Sequence, residues 1–275
     1  MQEATEPVRL DLAGWPAALG PELLAALSGQ DTSPPWTLPP ARAAELVAAL
    51  DGMRLAGSRL ELHPQLPPGT RLPRVHLDRS RRDGGRAWLP FLDEEGRYSL
   101  SSRELAAEQA AHFPGPTVVD AFCGCGGDSI ALARRGLRVL AIELDPARLA
   151  LARRNAAALG VELDLRQGDA RALLPTLPAG SGLFLDPPWG GPGAQERPCD
   201  WGTLVGIAPE QLAGFDPLVL KAPRSFDLSS LPPGRSWTWM AHLGPPEASG
   251  RRGVLALSIV GRCFQRRGSA APQPG

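Results

Sequence analysis

The chain has 275 residues with 29 basic and 29 acidic side chains, and this formal net charge of zero does not indicate a strongly basic nucleic-acid-binding protein. No apolar run approaches the ~18 residues of a membrane-spanning helix, and the acidic N-terminus does not have the pattern of a secretory signal. The four cysteines lack the spacing of a zinc site, so we expect a reducing, cytoplasmic setting without a disulfide framework.

The first 90 residues are predicted to form a small, mainly helical extension that is rich in Pro and Ala. Short helices are predicted at Pro21–Leu27 and Ala41–Leu50, because prolines stand where such helices can begin. Residues 71–86 then form an Arg-rich connector, with six arginines against two aspartates. Arginine outnumbers lysine 28 to 1 in the whole chain, a bias that we attribute to gene composition. The connector is therefore interpreted either as a phosphate-contacting segment or as a solvated linker.

A second domain is predicted over residues 91–275, and it begins with a helix. The segment from Ser101 to Glu104 has the pattern of a capping box, in which Ser101 accepts hydrogen bonds from first-turn amides and Glu104 reaches back to the cap. This helix is expected to end near Ala111.

From Thr117 onward the sequence alternates short apolar strands with helices, which predicts a mostly parallel sheet covered by helices on both faces. The predicted parallel strands are residues 118–122, 139–142, 163–165, 182–185 and 218–220. Helices are predicted at 128–135 and 146–159, the second capped by Asp145. The last two strands, 236–243 and 254–263, have no helix between them and indicate an antiparallel pair at the sheet edge. The fold class is therefore α/β, with seven strands.

A glycine-rich turn, Asp120–Gly127, follows the first strand. Its Gly-x-Gly-Gly spacing lacks the third glycine of dinucleotide sites, and the acid at the strand end would repel a pyrophosphate but attract the ammonium of a methionine moiety. Two further acids end the next two strands, where one can hold ribose hydroxyls and the other the adenine amino group; taken singly, each acid can also be a helix cap. The predicted S-adenosylmethionine site comprises Asp120, Phe122, Cys123, Gly124, Gly126, Glu143 and Asp169. The cysteines of the loop are interpreted as small side chains, since no base lies beside them in the sequence.

The segment Asp186-Pro187-Pro188-Trp189 follows the fourth strand and is the predicted catalytic centre. An exocyclic amino group on a base is a poor nucleophile, and it is activated when both N–H hydrogens are accepted, here by the Asp186 carboxylate and the Pro187 carbonyl. Consecutive prolines stiffen the turn, and Trp189 offers a face on which a base can stack. The sequence therefore predicts a methyltransferase that acts on a base amino group.

Several of these segments resemble the RNA cap guanine-N2 methyltransferase (trimethylguanosine synthase-like) family. The resemblance covers roughly residues 91–226 and is carried by residues 92–101, Asp120–Gly127, 141–146, 151–156, Asp186–Pro192 and 220–225. It implies a class I methyltransferase fold, transfer to guanine N2 in RNA, stacking of the guanine on Trp189, and a position near the cofactor for Ser101. The chain departs from the family at Asp186, where the family commonly has Ser, and at Arg97, where it favours an aromatic residue.

Three functions remain open at this point. The first is methylation of guanine N2 in RNA; the second is methylation of adenine N6 or cytosine N4 in DNA or RNA, which Asp186 favours. The third is a non-catalytic RNA-binding module that has kept the fold. In each case the expected partner is RNA, or alternatively DNA, without a membrane or a metal ion.

Overall fold

The structure is a computed structural model that describes residues 2–17, 19–73, 88–191, 193–243 and 254–263. The N-terminal segment contains β1 (Gln2–Glu3), β2 (Val8–Ala13), α1 (Pro21–Ser28), β3 (Trp36–Leu38), α2 (Pro40–Leu50), β4 (Arg54–Leu55), β5 (Ser58–Arg59), β6 (Glu61–Gln65) and β7 (Thr70–Arg71). The rest of the chain contains α3 (Gly96–Ser99), α4 (Arg103–Ala110), β8 (Thr117–Asp120), α5 (Gly127–Arg134), β9 (Arg138–Glu143), α6 (Pro146–Ala158), β10 (Asp164–Gln167), α7 (Ala170–Leu173), β11 (Gly182–Leu185), α8 (Trp201–Leu204), β12 (Leu218–Ala222), β13 (Arg235–Leu243) and β14 (Val254–Cys263).

A seven-stranded sheet with the order β10-β9-β8-β11-β12-β14-β13 forms the centre of the molecule. Strands β8 to β12 pair in parallel, whereas β14 pairs antiparallel with both β12 and β13. This order confirms the predicted α/β sheet with an antiparallel edge pair, and it is the class I methyltransferase arrangement that the resemblance implied. The chain reverses its direction of travel across the sheet between β8 and β11. In open α/β sheets, ligands bind at such a switch point, beyond the carboxyl ends of the strands.

The central strands are buried on both faces, as continuous apolar strands predict. Every residue of β11 and of β12 is buried, including the lysine at position 221. The two faces belong to separate hydrophobic clusters, represented by Leu183 and Leu220 on one side and by Phe184 and Val219 on the other. A rigid, two-sided core therefore fixes the strand ends where polar residues begin.

The N-terminal segment is not mainly helical, which corrects the prediction. Both predicted helices are present as α1 and α2, but β3, β2 and β6 also form a three-stranded antiparallel sheet. Its strands have only three to six residues, too short to give a clear alternation in the sequence. Val8 and Leu10 of β2 belong to the same hydrophobic cluster as Leu183 and Leu220 of the large sheet. The segment thus packs on one face of that sheet.

Two smaller predictions also need correction. The cap of α4 is Ser102, whose side chain accepts a hydrogen bond from the Leu105 amide, and not Ser101. The third parallel strand begins one residue later than predicted, at Asp164, and continues to Gln167. Most of the Arg-rich connector, residues 74–86, lies outside the described residues, as does Pro192. No helix in the described part of the chain is long and apolar enough to cross a membrane.

Residues 88–101, here termed the cover segment, lie against the start of α5 and against α6. The fully buried Asn155 side chain holds them: its amide nitrogen donates to the carbonyls of Phe91 and Cys125, both at 2.8 Å, and its oxygen accepts from the Phe91 amide at 2.9 Å. A Cβ at Gly127 would lie 2.5 Å from a methyl group of Leu100, so the segment needs glycine there for close contact. The cover segment therefore fixes the glycine-rich turn from outside.

We predict that Asn155→Ala lowers the free energy of unfolding by about 2–4 kcal/mol, because it leaves several shielded backbone groups without partners. Arg153→Ala, an exposed position two residues earlier on the same helix, is the matched control and should change that energy by less than about 0.5 kcal/mol. Urea denaturation followed by tryptophan fluorescence measures both. Equal values for the two variants would show that Asn155 does not hold the cover segment.

Candidate active site

The site lies at the switch point, where Asp120 ends β8 and Asp186 follows β11. These strands are direct neighbours, with Phe184 paired to Asp120 in the register. The structure thereby brings the first residue of the predicted cofactor loop and the first residue of the predicted catalytic segment to the same end of two adjacent strands. Burial raises the pKa of Asp120, and the negative charge of the nearby Asp186 raises it further.

Two glycines of the cofactor loop have backbone conformations that other residues avoid. Gly126 has φ of 90°, and a Cβ there would lie 3.2 Å from the Cβ of Ala152 on α6. Gly124 has φ of 53°, but a Cβ on it would meet no described atom within 4 Å. Gly126 therefore permits helix packing, whereas Gly124 leaves open space on the side of the loop that a ligand can approach.

The two cysteines of the loop are buried. Burial raises the pKa of the Cys123 thiol far above its ordinary value, and it also raises the pKa of the Cys125 thiol. A thiol that stays protonated is a poor nucleophile. Their burial is compatible with the interpretation of Cys123 and Cys125 as small structural side chains. Phe122, which lies between the strand and the loop, is partly buried.

Asp120 is a buried carboxyl group that the protein keeps difficult to ionise. Burial raises its pKa to about 8; the hydrogen bond from Ser129 lowers it, and the nearby charges of Asp128 and Asp186 raise it further. The Ser129 hydroxyl donates to Asp120 Oδ2 at 2.5 Å, and the Phe122 amide donates to Oδ1 at 3.3 Å. A cation bound beside this carboxyl would favour its ionised form.

Asp128 is a second acid at this place, and sequence reasoning missed it. It lies in the first turn of α5, and its Oδ2 accepts a hydrogen bond from the Ser101 hydroxyl at 3.0 Å. Its Oδ1 is buried and has no hydrogen-bond partner among the described residues. Ser101, predicted to lie near the cofactor, is thus linked to the cofactor loop. The unpartnered oxygen of Asp128 is an acceptor that a ligand can use.

Glu143 and Asp169, the other predicted cofactor residues, make local backbone contacts. Glu143 accepts from the amides of Gly124 and Asp145, each at 2.9 Å, and so ties the end of β9 to the cofactor loop. Asp169 is exposed and caps α7 by accepting from the Arg171 amide at 2.9 Å. Asp145 caps α6, as predicted. The ribose and adenine roles of Glu143 and Asp169 stay predictions.

The catalytic segment is held by a buried lysine. Lys221 Nζ donates to Asp186 Oδ2 at 2.6 Å, and the same nitrogen lies 5.5 Å from the centroid of the Trp189 ring. Burial raises the pKa of Asp186 to about 6, although the Lys221 charge lowers it. Burial lowers the pKa of Lys221, but the charges of Asp186 and Asp128 outweigh it and raise that pKa overall. Near neutral pH the pair is therefore an ammonium and a carboxylate.

The rest of the catalytic segment is partly accessible. Pro187 is buried, Pro188 is exposed and Trp189 is partly buried, with an indole N–H that is buried and lacks a partner in the described structure. Arg197 donates to the Gly190 carbonyl at 2.7 Å and so orders the loop that follows. The Trp189 ring itself lies beside the ammonium of the buried Lys221.

Lys221 is the second site residue that sequence reasoning missed. A signal for it was present, because Lys221 is the only lysine in the chain and stands in an apolar strand. Within the described ranges, no three His, Cys, Asp or Glu side chains are grouped as metal ligands. The acids instead suit a ligand with a cationic amino group.

Comparison with known proteins now adds to this geometry. Residues 115–198, which include the cofactor loop and the catalytic segment, match the family described as RNA cap guanine-N2 methyltransferase. The trimethylguanosine synthase of Schizosaccharomyces pombe is 28% identical over 145 residues, or 49% of this chain and 58% of that protein. Residues 115–198 of the chain are thus similar to the RNA cap guanine-N2 methyltransferase family. It spans less than two thirds of the length of that relative.

Two solved structures are similar to the chain in part. TrmN from Thermus thermophilus is 25% identical, with a TM-score of 0.41 over 59% of this chain and 48% of that one. A precorrin-6y C5,15-methyltransferase from Geobacter metallireducens is 15% identical, with a TM-score of 0.44 over 62% of this chain and 92% of that one. The fold of the chain is therefore assigned from its own strand order.

The raised pKa of Asp120 predicts a pH-dependent stability. Its value is about 8 in the folded protein against 3.8 in the unfolded chain. The stability that the protonated carboxyl contributes is therefore fully present below pH 3.8, and it is lost as the pH rises to about 8. Asp120→Asn, which cannot ionise, should remove this decline. Urea unfolding at several pH values between 5 and 9 measures it.

Asp164→Asn, at an exposed position on the edge strand β10, is the control and should keep the decline of the wild type. If Asp120→Asn followed the wild-type pH dependence, the carboxyl would not be protonated in the folded protein.

Proposed function

We propose that the chain is an S-adenosylmethionine-dependent methyltransferase that methylates an exocyclic amino group of a nucleic-acid base, with guanine N2 in RNA as the first candidate. The observation that carries the proposal is the Asp186 carboxylate, held by Lys221 at 2.6 Å directly beyond β11, beside the cofactor loop of the adjacent strand. The match of residues 115–198 to the RNA cap guanine-N2 methyltransferase family supports the same reaction.

The residues of the cofactor loop fit S-adenosylmethionine. The ammonium of its methionine moiety needs carboxylate acceptors, and Asp120 and the unpartnered Oδ1 of Asp128 provide them. Gly124 leaves space for close approach, while Glu143 and Asp169 would hold the ribose and the adenine. When bound, the cofactor supplies an electrophilic methyl group. Phe122, Cys123, Gly126 and Ser101 would shape and support this site.

The catalytic segment would orient the acceptor amine. Asp186 uses Oδ2 for Lys221, so its Oδ1 can accept one amino N–H while the Pro187 carbonyl accepts the other. This arrangement would direct the nitrogen lone pair away from the two acceptors and hold it in a reactive orientation. An amino nitrogen that gains a methyl group sheds one proton, which an ionised Asp186 can accept. Lys221 lies over one face of the Trp189 ring, and the base would stack on the other face.

The substrate within this class rests on the family and on one departure from it. The relative from Schizosaccharomyces pombe is named for guanosine, which favours guanine N2. Aspartate at position 186 instead favours adenine N6 or cytosine N4, because enzymes that methylate those amino groups commonly use it. RNA is the proposed polymer, and DNA is the alternative.

Domain organisation and location are also proposed here. We infer that residues 91–275 form the methyltransferase domain and that residues 1–90 form an accessory segment, supported by the separate small sheet of the latter. A reducing compartment such as the cytoplasm is supported by the four cysteines, all of which are free.

Asp186→Asn should strongly reduce methyl transfer while cofactor binding survives. The amide keeps an acceptor for Lys221 but loses the charge and the proton-accepting capacity, which we expect to reduce turnover by roughly 10²-fold or more. The measurement uses radiolabelled S-adenosylmethionine with fractionated cellular RNA and DNA, and calorimetry for cofactor binding. Glu162→Gln, an exposed acid away from the site, is the control and should retain full turnover.

Wild-type turnover in Asp186→Asn would remove Asp186 from the reaction. A wild-type protein that fails to bind S-adenosylmethionine would instead support the non-catalytic RNA-binding module.

Identification of the methylated nucleoside decides between the candidate bases. Digestion of the labelled product to nucleosides and mass spectrometry should yield N2-methylguanosine from RNA. N6-methyladenosine or N4-methylcytidine from RNA, or the corresponding deoxynucleosides from DNA, would replace the guanine assignment with the second candidate.

A further inference from the structure

Lys221 is unusual in both its sequence and its surroundings. It is the only lysine among 29 basic residues, and it lies in β12, a strand that is buried throughout. Only 4% of the residue is exposed. Taking an ammonium out of water is costly unless it is paired, so a buried lysine at one position of an arginine-rich chain indicates a specific requirement.

Lys221 contacts both the first and the last residue of the catalytic segment, Asp186 and Trp189. One ammonium contacts Asp186 Oδ2 at 2.6 Å and lies 5.5 Å from the centre of the Trp189 ring. Strand pairing explains why it reaches both: Leu185 is opposite Leu220, so Asp186 and Lys221 follow side by side at the ends of adjacent strands. On the other side, Lys221 is opposite the buried Ser258 of β14.

We propose that Lys221 is a positioning residue that fixes the Asp186 carboxylate and the Trp189 ring for the acceptor base, and that this position requires an ammonium rather than a guanidinium. The inference rests on the proposed methyltransferase function. It assigns no direct contact between Lys221 and the methyl donor. Lys221 acts through the two residues that it holds.

The requirement for lysine follows from shape. An ammonium is a compact charge that can contact a carboxylate while it lies close to an aromatic ring, whereas a guanidinium is planar, wider and suited to bidentate pairing. The space at β12 is bounded by Trp189, Asp186 and the neighbouring strand β14. A guanidinium there would have to displace the ring or rotate the carboxylate, and a packed core resists such changes.

Several acids surround the Lys221 ammonium. Asp120 and Asp128 interact with it from β8 and α5, and Asp186 interacts with it from the end of β11. On β13, His242 is hydrogen-bonded to Glu108 of α4 and to Ser258. Burial lowers the pKa of His242, and the Lys221 charge lowers it further. Loss of Lys221 would therefore leave the acids uncompensated and raise the pKa of Asp186 further above its usual range.

The single lysine allows a direct test that needs no activity. In protein labelled with ¹³C and ¹⁵N only in lysine, the side chain gives one Cε signal, which can be followed as the pH changes. We expect an inflection near pH 6, where Asp186 titrates, and no such inflection in Asp186→Asn. A signal that behaves as a solvated lysine, with no inflection that depends on Asp186, would overturn the ion pair and the proposal with it.

Activity variants test the positioning role and the preference for lysine. Wild-type turnover should fall as the pH drops through about 6, and in Lys221→Met this decline should move to higher pH, with turnover near pH 7 reduced by roughly 10²-fold. Lys221→Arg keeps the positive charge, but its turnover should also fall well below that of the wild type. Cofactor affinity by calorimetry should change far less than turnover in both variants.

Arg235→Met is the matched control. Arg235 is also a largely buried cation of the same sheet, but it lies at the start of β13 and donates to the carbonyls of Leu212 and Phe215. Its loss should lower stability without moving the pH dependence of turnover.

The outcomes distinguish a failure of the ammonium requirement, of the positioning role and of the proposed function. Wild-type turnover in Lys221→Arg would disprove the need for an ammonium, and an unshifted pH profile in Lys221→Met would disprove positioning. If Lys221→Met does not fold, the wild-type titration and Lys221→Arg decide the question. A wild-type protein without methyl transfer on any nucleic acid would overturn the proposed function, while the lysine titration would still report whether Lys221 holds Asp186.

Discussion

The buried ion pair between Lys221 and Asp186 imposes a strict constraint on the fold around it. Two charges in a shielded site are tolerated only when they stay in contact, because either one alone would face a large desolvation cost. Contact at 2.6 Å requires β11 and β12 to keep their register, with Leu185 opposite Leu220. A shift of one residue would turn the lysine to the other face of the sheet. The two-sided apolar core that fixes these strands is therefore also what keeps the catalytic segment in place.

The same end of the sheet concentrates negative charge. Asp120, Asp128 and Asp186 all influence one another or Lys221, and one lysine cannot neutralise three carboxylates. The protein responds by holding Asp120 in its protonated form and by bonding Asp128 to Ser101. A cationic ligand removes this imbalance, so ligand binding and ionisation of Asp120 are linked. The cover segment positions Ser101, whose hydroxyl donates to Asp128, and it also packs against the cofactor loop. It therefore stabilises one of the acids as well as the fold of the loop.

Sequence reasoning predicted the parts of the molecule that have strong local patterns. Continuous apolar strands gave the sheet, and the catalytic segment and the glycine-rich turn were located because both follow strands. The strands of the N-terminal segment were missed because they are short and alternate only over a few residues. Ser101 was assigned the cap that Ser102 makes, since adjacent serines are equivalent in the pattern and only tertiary contact with Asp128 distinguishes them. Lys221 was missed because its meaning depends on which strand lies beside it.

The ion pair also changes how the main departure from the family is interpreted. An aspartate where the family commonly has serine introduces a charge beside the acceptor base and, taken alone, favours adenine or cytosine as the substrate. Paired with Lys221, however, Asp186 belongs to a unit with no net charge, as a serine hydroxyl has none. The net charge beside the acceptor base is thus zero, as it would be with a serine at position 186. Asp186 and its partner Lys221 lie at the ends of two adjacent strands, and this neutral pair is compatible with the proposed guanine N2 acceptor.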